Sequence, residues 1–310
     1  MDSTPPVLSS APDAPPPAGS APSLRAAPGS VATSSDTPAE GAAPAIDLAA
    51  RRRLWLWLAL AGVLGVAGAL PYLLPLLRAS LATSAAAGKT VPALWVVALA
   101  QVGQICLLAA ASAWVGTRAA PVSGLDAPFF RALAERRPAG RSLFAEVPRA
   151  LLWGSAFSAA ILLLNHLAAP LLPDALQRHA PPAMALGEKL VSFAQGASSA
   201  FYGGIVEELL LRWCVLALIA AGLWKLGARG SGAFWAANLL AAILFGAGHL
   251  PAVRALGLPL TLGTIGYIVA GNAIGGLVCG WQFRRRGLEA GMIAQGWGDV
   301  CLHAFPLLFC

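Results

Sequence analysis

Charged residues are scarce in this sequence: they make up 11% of its 310 residues, against 57% hydrophobic residues. The mean hydropathy is +0.69. Soluble domains contain about a quarter charged residues, so an ordinary water-soluble fold is excluded. Several apolar stretches reach the roughly 20 residues that a helix needs to cross a bilayer. The sequence therefore predicts an all-α fold, a polytopic transmembrane helical bundle.

Metal-binding sequence motifs are also missing. The five cysteines lie in apolar stretches without CxxC spacing, and no HExxH motif is present. We interpret the cysteines as small buried hydrophobic residues. The net charge of +7 does not indicate a nucleic-acid partner, because the Lys and Arg residues cluster beside the apolar stretches.

Aromatic residues are absent from residues 1–48, which are rich in Pro, Ala, Ser, Gly and Thr. Such a composition buries too little apolar surface to offset chain entropy, which predicts a disordered cytoplasmic tail. It is not typical of a cleavable signal peptide, because the first apolar run begins only at Leu54.

Seven apolar spans follow the tail. We place N-terminal transmembrane helices and a basic cytoplasmic loop in residues 49–190, and a C-terminal helical core in residues 191–310. The fourth span is too long for one perpendicular crossing, which suggests a tilt or an interfacial start around Lys189 to Ala200, with Gly203 and Gly204 as candidate weak points. The spans are residues 54–77, 91–116, 151–172, 190–226, 234–250, 260–283 and 288–309.

Basic residues alternate between the loops in a way that predicts orientation. They are concentrated before span one, between spans two and three, after span four and after span six, where Arg284, Arg285 and Arg286 lie. Cytoplasmic loops carry this excess, so we expect the N-terminus in the cytoplasm and the C-terminus outside.

Four glycines on span six predict close helix packing inside the bundle, with dimerisation as the alternative: Gly271, Gly275, Gly276 and Gly280.

Ionisable residues inside the predicted spans are few. The carboxylates are Glu207, Glu208 and Asp299, and the only Lys or Arg well inside a span is Arg212. A charge at the bilayer centre costs about 2.5–3.5 kcal/mol on insertion scales, so these residues mark function or an internal ion pair that fastens helices. Glu208 and Arg212 are four residues apart and share a helical face, whereas Glu207 is turned by about 100° toward another partner.

Three further polar residues lie on the last spans. His249 ends the run Phe245-Gly246-Ala247-Gly248-His249, in which small residues leave space around the imidazole. Gln295, Asp299 and His303 lie at successive turns, so they form one polar stripe that needs partners in a membrane.

These motifs resemble those of the CPBP family, which includes CAAX prenyl proteases and bacteriocin-processing or immunity (Abi-like) proteins. The run from Glu207 to Arg212 resembles its EExxxR motif, and Phe245 to His249 resembles FxxxH. The resemblance covers roughly residues 198–305. The third motif, HxxxN or HxxxD, departs from the family, because Gln295 stands where the leading His is expected and Asp299 is retained.

The resemblance implies an intramembrane endopeptidase. By this resemblance Glu207 and His249 activate a water, Glu208 and Arg212 fix the geometry, and Gln295, Asp299 or His303 stabilises charge. Family members are often called metalloproteases, and the resemblance leaves open whether zinc takes part. The candidate ligands are Glu207, His249, Asp299 and His303.

The expected substrate is a membrane-embedded or prenylated peptide or protein, and the expected location is the bilayer, the plasma (inner) membrane for a bacterial source. Two alternatives stay open. One is a catalytically degenerate scaffold or immunity protein on the same fold, which the Gln295 departure favours. The other is a proton-coupled transporter, which the absence of an obvious internal repeat of spans disfavours.

Overall fold

The computed structural model describes residues 46–172 and 184–308. All the secondary-structure elements in these residues are helices. The predicted all-α fold is therefore confirmed. Single 3₁₀ turns follow α2, α4 and α10. The helices are α1 (Leu48–Ala86), α2 (Leu94–Ala119), α3 (Pro128–Ala134), α4 (Gly140–Ala168), α5 (Leu186–Ala197), α6 (Ser199–Phe201), a π-helix (Tyr202–Leu216), α7 (Ala217–Lys225), α8 (Gly230–Ala255), α9 (Leu262–Arg286) and α10 (Leu288–His303).

Five helical segments are long and apolar enough to cross a membrane. They coincide with predicted spans one, two, three, five and six, which confirms a polytopic helical membrane protein. The seventh predicted span is the 16-residue α10. At 1.5 Å per residue it is about 24 Å long, shorter than a bilayer core of about 30 Å. The five segments are Leu48–Ala86, Leu94–Ser123, Leu143–Ala168, Gly230–Ala255 and Leu262–Arg286.

The fourth predicted span divides at Ser198, which accounts for its excess length. Helix α5 ends just before it, and the Ser198 hydroxyl donates to the Gln195 carbonyl at 2.8 Å. Gly203 and Gly204, the candidate weak points, do not interrupt the helix. Both lie inside the continuous π-helix, and a Cβ at Gly204 would lie only 2.7 Å from the Met292 carbonyl oxygen. The glycine lets α10 approach closely.

Helix α1 has 39 residues, about 58 Å of helix, and two prolines inside it, Pro71 and Pro75. Asp47 caps its start by accepting a hydrogen bond from the Ala50 amide at 2.6 Å. The end of the predicted tail therefore belongs with α1, while its disorder over residues 1–45 lies outside the described residues. Each proline lacks an N–H, so the carbonyl four residues earlier loses its helical hydrogen bond.

Two glycines of α9, Gly276 and Gly280, pack against α8. A Cβ at Gly276 would lie 2.9 Å from the Ala242 Cβ, and one at Gly280 would collide with the Asn238 side chain. Asn238 in turn donates to the Leu277 carbonyl at 3.0 Å. These small residues thus serve packing inside the bundle, which confirms the preferred interpretation.

Candidate active site

The π-helix carries a buried ion pair. Arg212 Nη1 lies 2.9 Å from Glu208 Oε1, and the two side chains are 2% and 0% exposed. Within the described ranges, neither Glu208 Oε2 nor Arg212 Nη2 has a hydrogen-bond partner. A Cβ at Gly291 of α10 would lie 2.7 Å from Glu208 Oε2, so α10 closes over the pair. The pair that the four-residue spacing predicts is therefore present, and it is shielded from water.

The neighbouring carboxylate faces a different helix. Glu207 Oε1 lies 3.6 Å from His249 Nε2 of α8, and the Glu207 side chain is 14% exposed. The other imidazole nitrogen, Nδ1, lies 2.9 Å from the Phe245 carbonyl oxygen. A carbonyl oxygen only accepts, so Nδ1 donates to it and Nε2 is the nitrogen aimed at Glu207. A water about 2.8 Å from both Nε2 and Oε1 can bridge the two atoms.

Phe245 connects the ion pair with the histidine. The Arg212 guanidinium carbon lies 4.8 Å from the centroid of the Phe245 ring, within the range of a cation–π contact. The same ring meets the His249 ring edge-to-face, with 4.9 Å between their centroids. Arg212 and His249 therefore both pack against the Phe245 ring. The Phe of the FxxxH motif thus joins the ion pair to the histidine.

Gln295 and Asp299 lie on α10 beside the π-helix. Gln295 Nε2 donates to Asp299 Oδ1 at 3.5 Å, and Gln295 Oε1 accepts from the Cys279 thiol at 3.3 Å. Gln295 and Asp299 are 5% and 8% exposed. A Cβ at Gly203 would collide with Asp299 Oδ2, so the absence of a side chain there makes room for the carboxylate.

His303 lies one turn beyond Asp299 at the end of α10. Its exposed imidazole packs against the Tyr72 ring of α1, with 5.5 Å between the centroids. The predicted stripe on α10 thus runs from two buried groups to an exposed one.

A cavity of about 280 Å³ brings five of the seven predicted site residues together: Glu207, His249, Gln295, Asp299 and His303. Glu208 and Arg212 are not among its lining residues, in keeping with a structural position behind it. The cavity also has polar lining residues that sequence reasoning missed, namely Tyr72, Asn165, Ser199, Tyr202, Tyr267 and Asn272. One signal was present: the chain has only three tyrosines, and all three line this cavity.

A larger cavity of about 660 Å³ adjoins the first and shares Glu207 and His249 with it. Its wall comes mainly from α1, α2 and α8. Most of the lining side chains are apolar, among them Leu70, Leu74, Leu77, Ile105, Leu244 and Leu256. The Glu207–His249 pair therefore lies where a small polar cavity meets a large apolar one.

The candidate metal ligands are Glu207, His249, Asp299 and His303. Among the residues that the structure describes, no three His, Cys, Asp or Glu side chains form a group that could hold a metal ion. Catalytic zinc sites use three protein ligands. Glu207 and His249 form a pair, Asp299 bonds Gln295, and His303 packs on Tyr72. The predicted ligands thus do not form a zinc site in this arrangement.

The comparison with protein families points to the same part of the chain. Residues 189–301 match the family described as type II CAAX prenyl endopeptidase Rce1-like. The resemblance to the CPBP and CAAX protease family is therefore confirmed over slightly more than a third of the chain, including both glutamates, Arg212, His249, Gln295 and Asp299. His303 and Tyr72 lie outside the match. No curated protein and no solved structure matches the chain.

Proposed function

We propose that this protein is an intramembrane endopeptidase of the CAAX type. It hydrolyses a peptide bond in a membrane-associated or lipid-modified substrate by water that Glu207 and His249 activate. The observation that carries the proposal is the 3.6 Å approach of Glu207 Oε1 to His249 Nε2 at the junction of the two cavities. The family match over residues 189–301 supports a protease.

In the proposed mechanism Nε2 carries no proton, so a water between Nε2 and Glu207 Oε1 donates one hydrogen bond to each. The water oxygen attacks the substrate carbonyl carbon while its proton passes to the Glu207 carboxylate, and His249 Nε2 accepts the second water hydrogen bond. The carbonyl π electrons move to its oxygen, which gives a tetrahedral oxyanion. When the oxyanion collapses, the C–N bond breaks and the proton on Glu207 passes to the leaving amine. No covalent enzyme intermediate forms.

The two cavities suggest where the different parts of a substrate bind. The polar cavity of about 280 Å³ suits the scissile peptide bond, and the apolar cavity of about 660 Å³ suits a lipid group or apolar side chains. Because the larger cavity is walled by membrane-spanning helices, we propose that a membrane-anchored substrate enters sideways from the bilayer. We also propose a cytoplasmic N-terminus and, for a bacterial source, the inner membrane as its location.

The proposal is tested by cleavage of a quenched peptide library by the purified protein in detergent. Glu207→Gln and His249→Ala are compared with wild type, and Glu188→Gln serves as the matched control. The Glu188 carboxylate bonds the Ala185 amide on α5 and lines neither cavity. We expect the first two changes to lower the rate by about 10²–10⁴-fold and the control to leave it unchanged. Equal rates for wild type and Glu207→Gln would exclude this mechanism.

A degenerate scaffold on the same fold is the second candidate, and the position of Gln295 favours it. The Gln295 amide oxygen accepts from Cys279 and one of its two N–H groups donates to Asp299, so a single amide N–H remains where the family has a histidine. Gln295→His separates the two readings. The endopeptidase keeps or gains activity with this change, whereas a degenerate enzyme is inert as wild type and cleaves only as Gln295→His. If neither protein cleaves, proton-coupled transport in proteoliposomes becomes the next assay.

A further inference from the structure

Tyrosine hydroxyls are concentrated at the cavity beside Glu207 and His249. Tyr267 donates its hydroxyl to Asn165 Oδ1 at 2.7 Å, so that hydroxyl is already engaged. The hydroxyls of Tyr72 and Tyr202 make no hydrogen bond to any residue that the structure describes. Two phenol donors thus remain available to a molecule in the cavity.

Tyr72 reaches the site from outside the family match. It lies on α1 between Pro71 and Pro75, and its ring packs on His303 at a centroid distance of 5.5 Å. It lines both the polar and the apolar cavity. Tyr202 also lines both cavities, but it stands on the π-helix that carries Glu207. Tyr72 is therefore the phenol that comes from a separate helix and packs against α10, one turn beyond Asp299.

The site needs a donor beyond the one N–H that Gln295 leaves unused. Gln295 is 5% exposed, its amide oxygen accepts from Cys279, and its amide nitrogen donates to Asp299. Hydrolysis builds negative charge on the carbonyl oxygen, and donors aimed at that charge supply the largest stabilisation in most such reactions. A phenol hydroxyl that bonds no residue in the described part of the chain meets this requirement.

We propose that the Tyr72 hydroxyl donates the hydrogen bond that holds the oxyanion of the tetrahedral intermediate. Helix α1 thereby completes a site whose other groups lie on the π-helix, α8 and α10. This inference rests on the proposed endopeptidase function. It explains how the chain retains catalysis with glutamine in place of the family's histidine at position 295.

The experiment measures kcat and KM for wild type, Tyr72→Phe, Tyr202→Phe and Thr83→Val in detergent. Thr83→Val removes a hydroxyl from the same helix α1, one that bonds only the Ala79 carbonyl and lines neither cavity. We expect Tyr72→Phe to lower kcat by about 10²–10³-fold with KM nearly unchanged, and Thr83→Val to match wild type. A loss confined to KM, or a larger kcat loss in Tyr202→Phe, overturns the assignment.

A binding measurement keeps this test separate from that of the proposed function. The probe is a phosphinic peptide with leucine side chains on both sides of the phosphinate, which is a tetrahedral anion, compared with the amide peptide of the same sequence. We expect Tyr72→Phe to weaken phosphinate binding at least tenfold and amide binding less than twofold. If wild type cleaves nothing, the proposed function fails, and this comparison still decides on Tyr72. Equal phosphinate affinity in both proteins, or no phosphinate binding by wild type, refutes the oxyanion role.

Discussion

The Arg212 guanidinium carbon lies 4.8 Å from the centroid of the Phe245 ring. The centroid of the His249 ring lies 4.9 Å from the same centroid. Two sequence motifs on different helices are thus joined through one phenyl group. The orientation of the His249 imidazole depends on this ring as well as on the hydrogen bond from Nδ1 to the Phe245 carbonyl. Because the proposed mechanism needs Nε2 aimed at Glu207, we expect the Phe245 ring to affect the rate through the orientation of His249.

Phe245→Leu should lower kcat by about 10–100-fold, because a looser imidazole spends less time in the productive geometry. The stability cost is on the order of 1–2 kcal/mol, since most of the apolar volume remains. Phe234→Leu is the matched control. Phe234 is also buried on α8 and also carries an arginine, Arg284, at 4.5 Å from its ring centroid. A similar rate loss in the control would show that the effect is general loosening of α8.

Gly203→Ala should disturb Asp299 directly. An added Cβ would collide with Asp299 Oδ2, so the carboxylate or the helix that carries it must shift. We expect the cleavage rate to fall by about 10²-fold, the typical effect of a misplacement of about 1 Å. Gly222→Ala on α7 is the control, because its Cβ would meet nothing within 4 Å. That change should leave the rate intact and raise helix stability by up to about 1 kcal/mol. Unchanged activity in Gly203→Ala would mean that Asp299 has no catalytic part.

Contacts within one helix were predictable from the sequence, and contacts between helices were only partly so. The Glu208–Arg212 pair follows from a four-residue spacing, because such residues share a helical face. Glu207 and His249 come from different helices, and only their motif order in a known family suggested that they meet. The α9 glycines were recognised from spacing because close helix approach requires small residues.

The missed features depend on tertiary contacts. Tyr72 is more than a hundred residues from Glu207 in the chain, so neither periodicity nor motif spacing links them. The break at Ser198 falls within the range 189–200 in which an interfacial start was predicted. The role of Gly204, which is its close contact with α10, was not predictable from the sequence. The disordered tail over residues 1–45 stays a prediction.

The orientation of the protein can be tested in the loops that the structure describes. Gly88 and Gly227 lie in turns with φ of 74° and 89°, the first after α1 and the second after α7. A protease site inserted after Gly88 should be cut by protease added outside intact cells, because that loop has few basic residues. A site inserted after Gly227 should be cut only when the cells are opened. The reverse pattern would place the N-terminus outside.

Zinc removal should leave cleavage unchanged. Glu207 and His249 supply two of the three protein ligands that catalytic zinc uses, and Asp299 is hydrogen-bonded to Gln295. We therefore expect less than stoichiometric zinc in the purified protein and the same rate before and after dialysis against a chelator. Activity that disappears on chelation and returns with zinc would contradict this. It would also imply that Asp299 or His303 moves toward Glu207 when the metal binds.

The Glu208–Arg212 pair should support stability and activity through different contacts. Glu208→Gln or Arg212→Leu alone leaves a buried charge or polar group without its partner, with an expected cost of about 3–5 kcal/mol that appears as a lower Tm in detergent. The double variant Glu208→Met with Arg212→Leu removes both charges and should recover most of that loss. Its activity should stay low, because the cation that packs on Phe245 is also gone. If the double variant regains both stability and rate, the pair only fastens the helices, and the link from Arg212 through Phe245 to His249 has no part in catalysis.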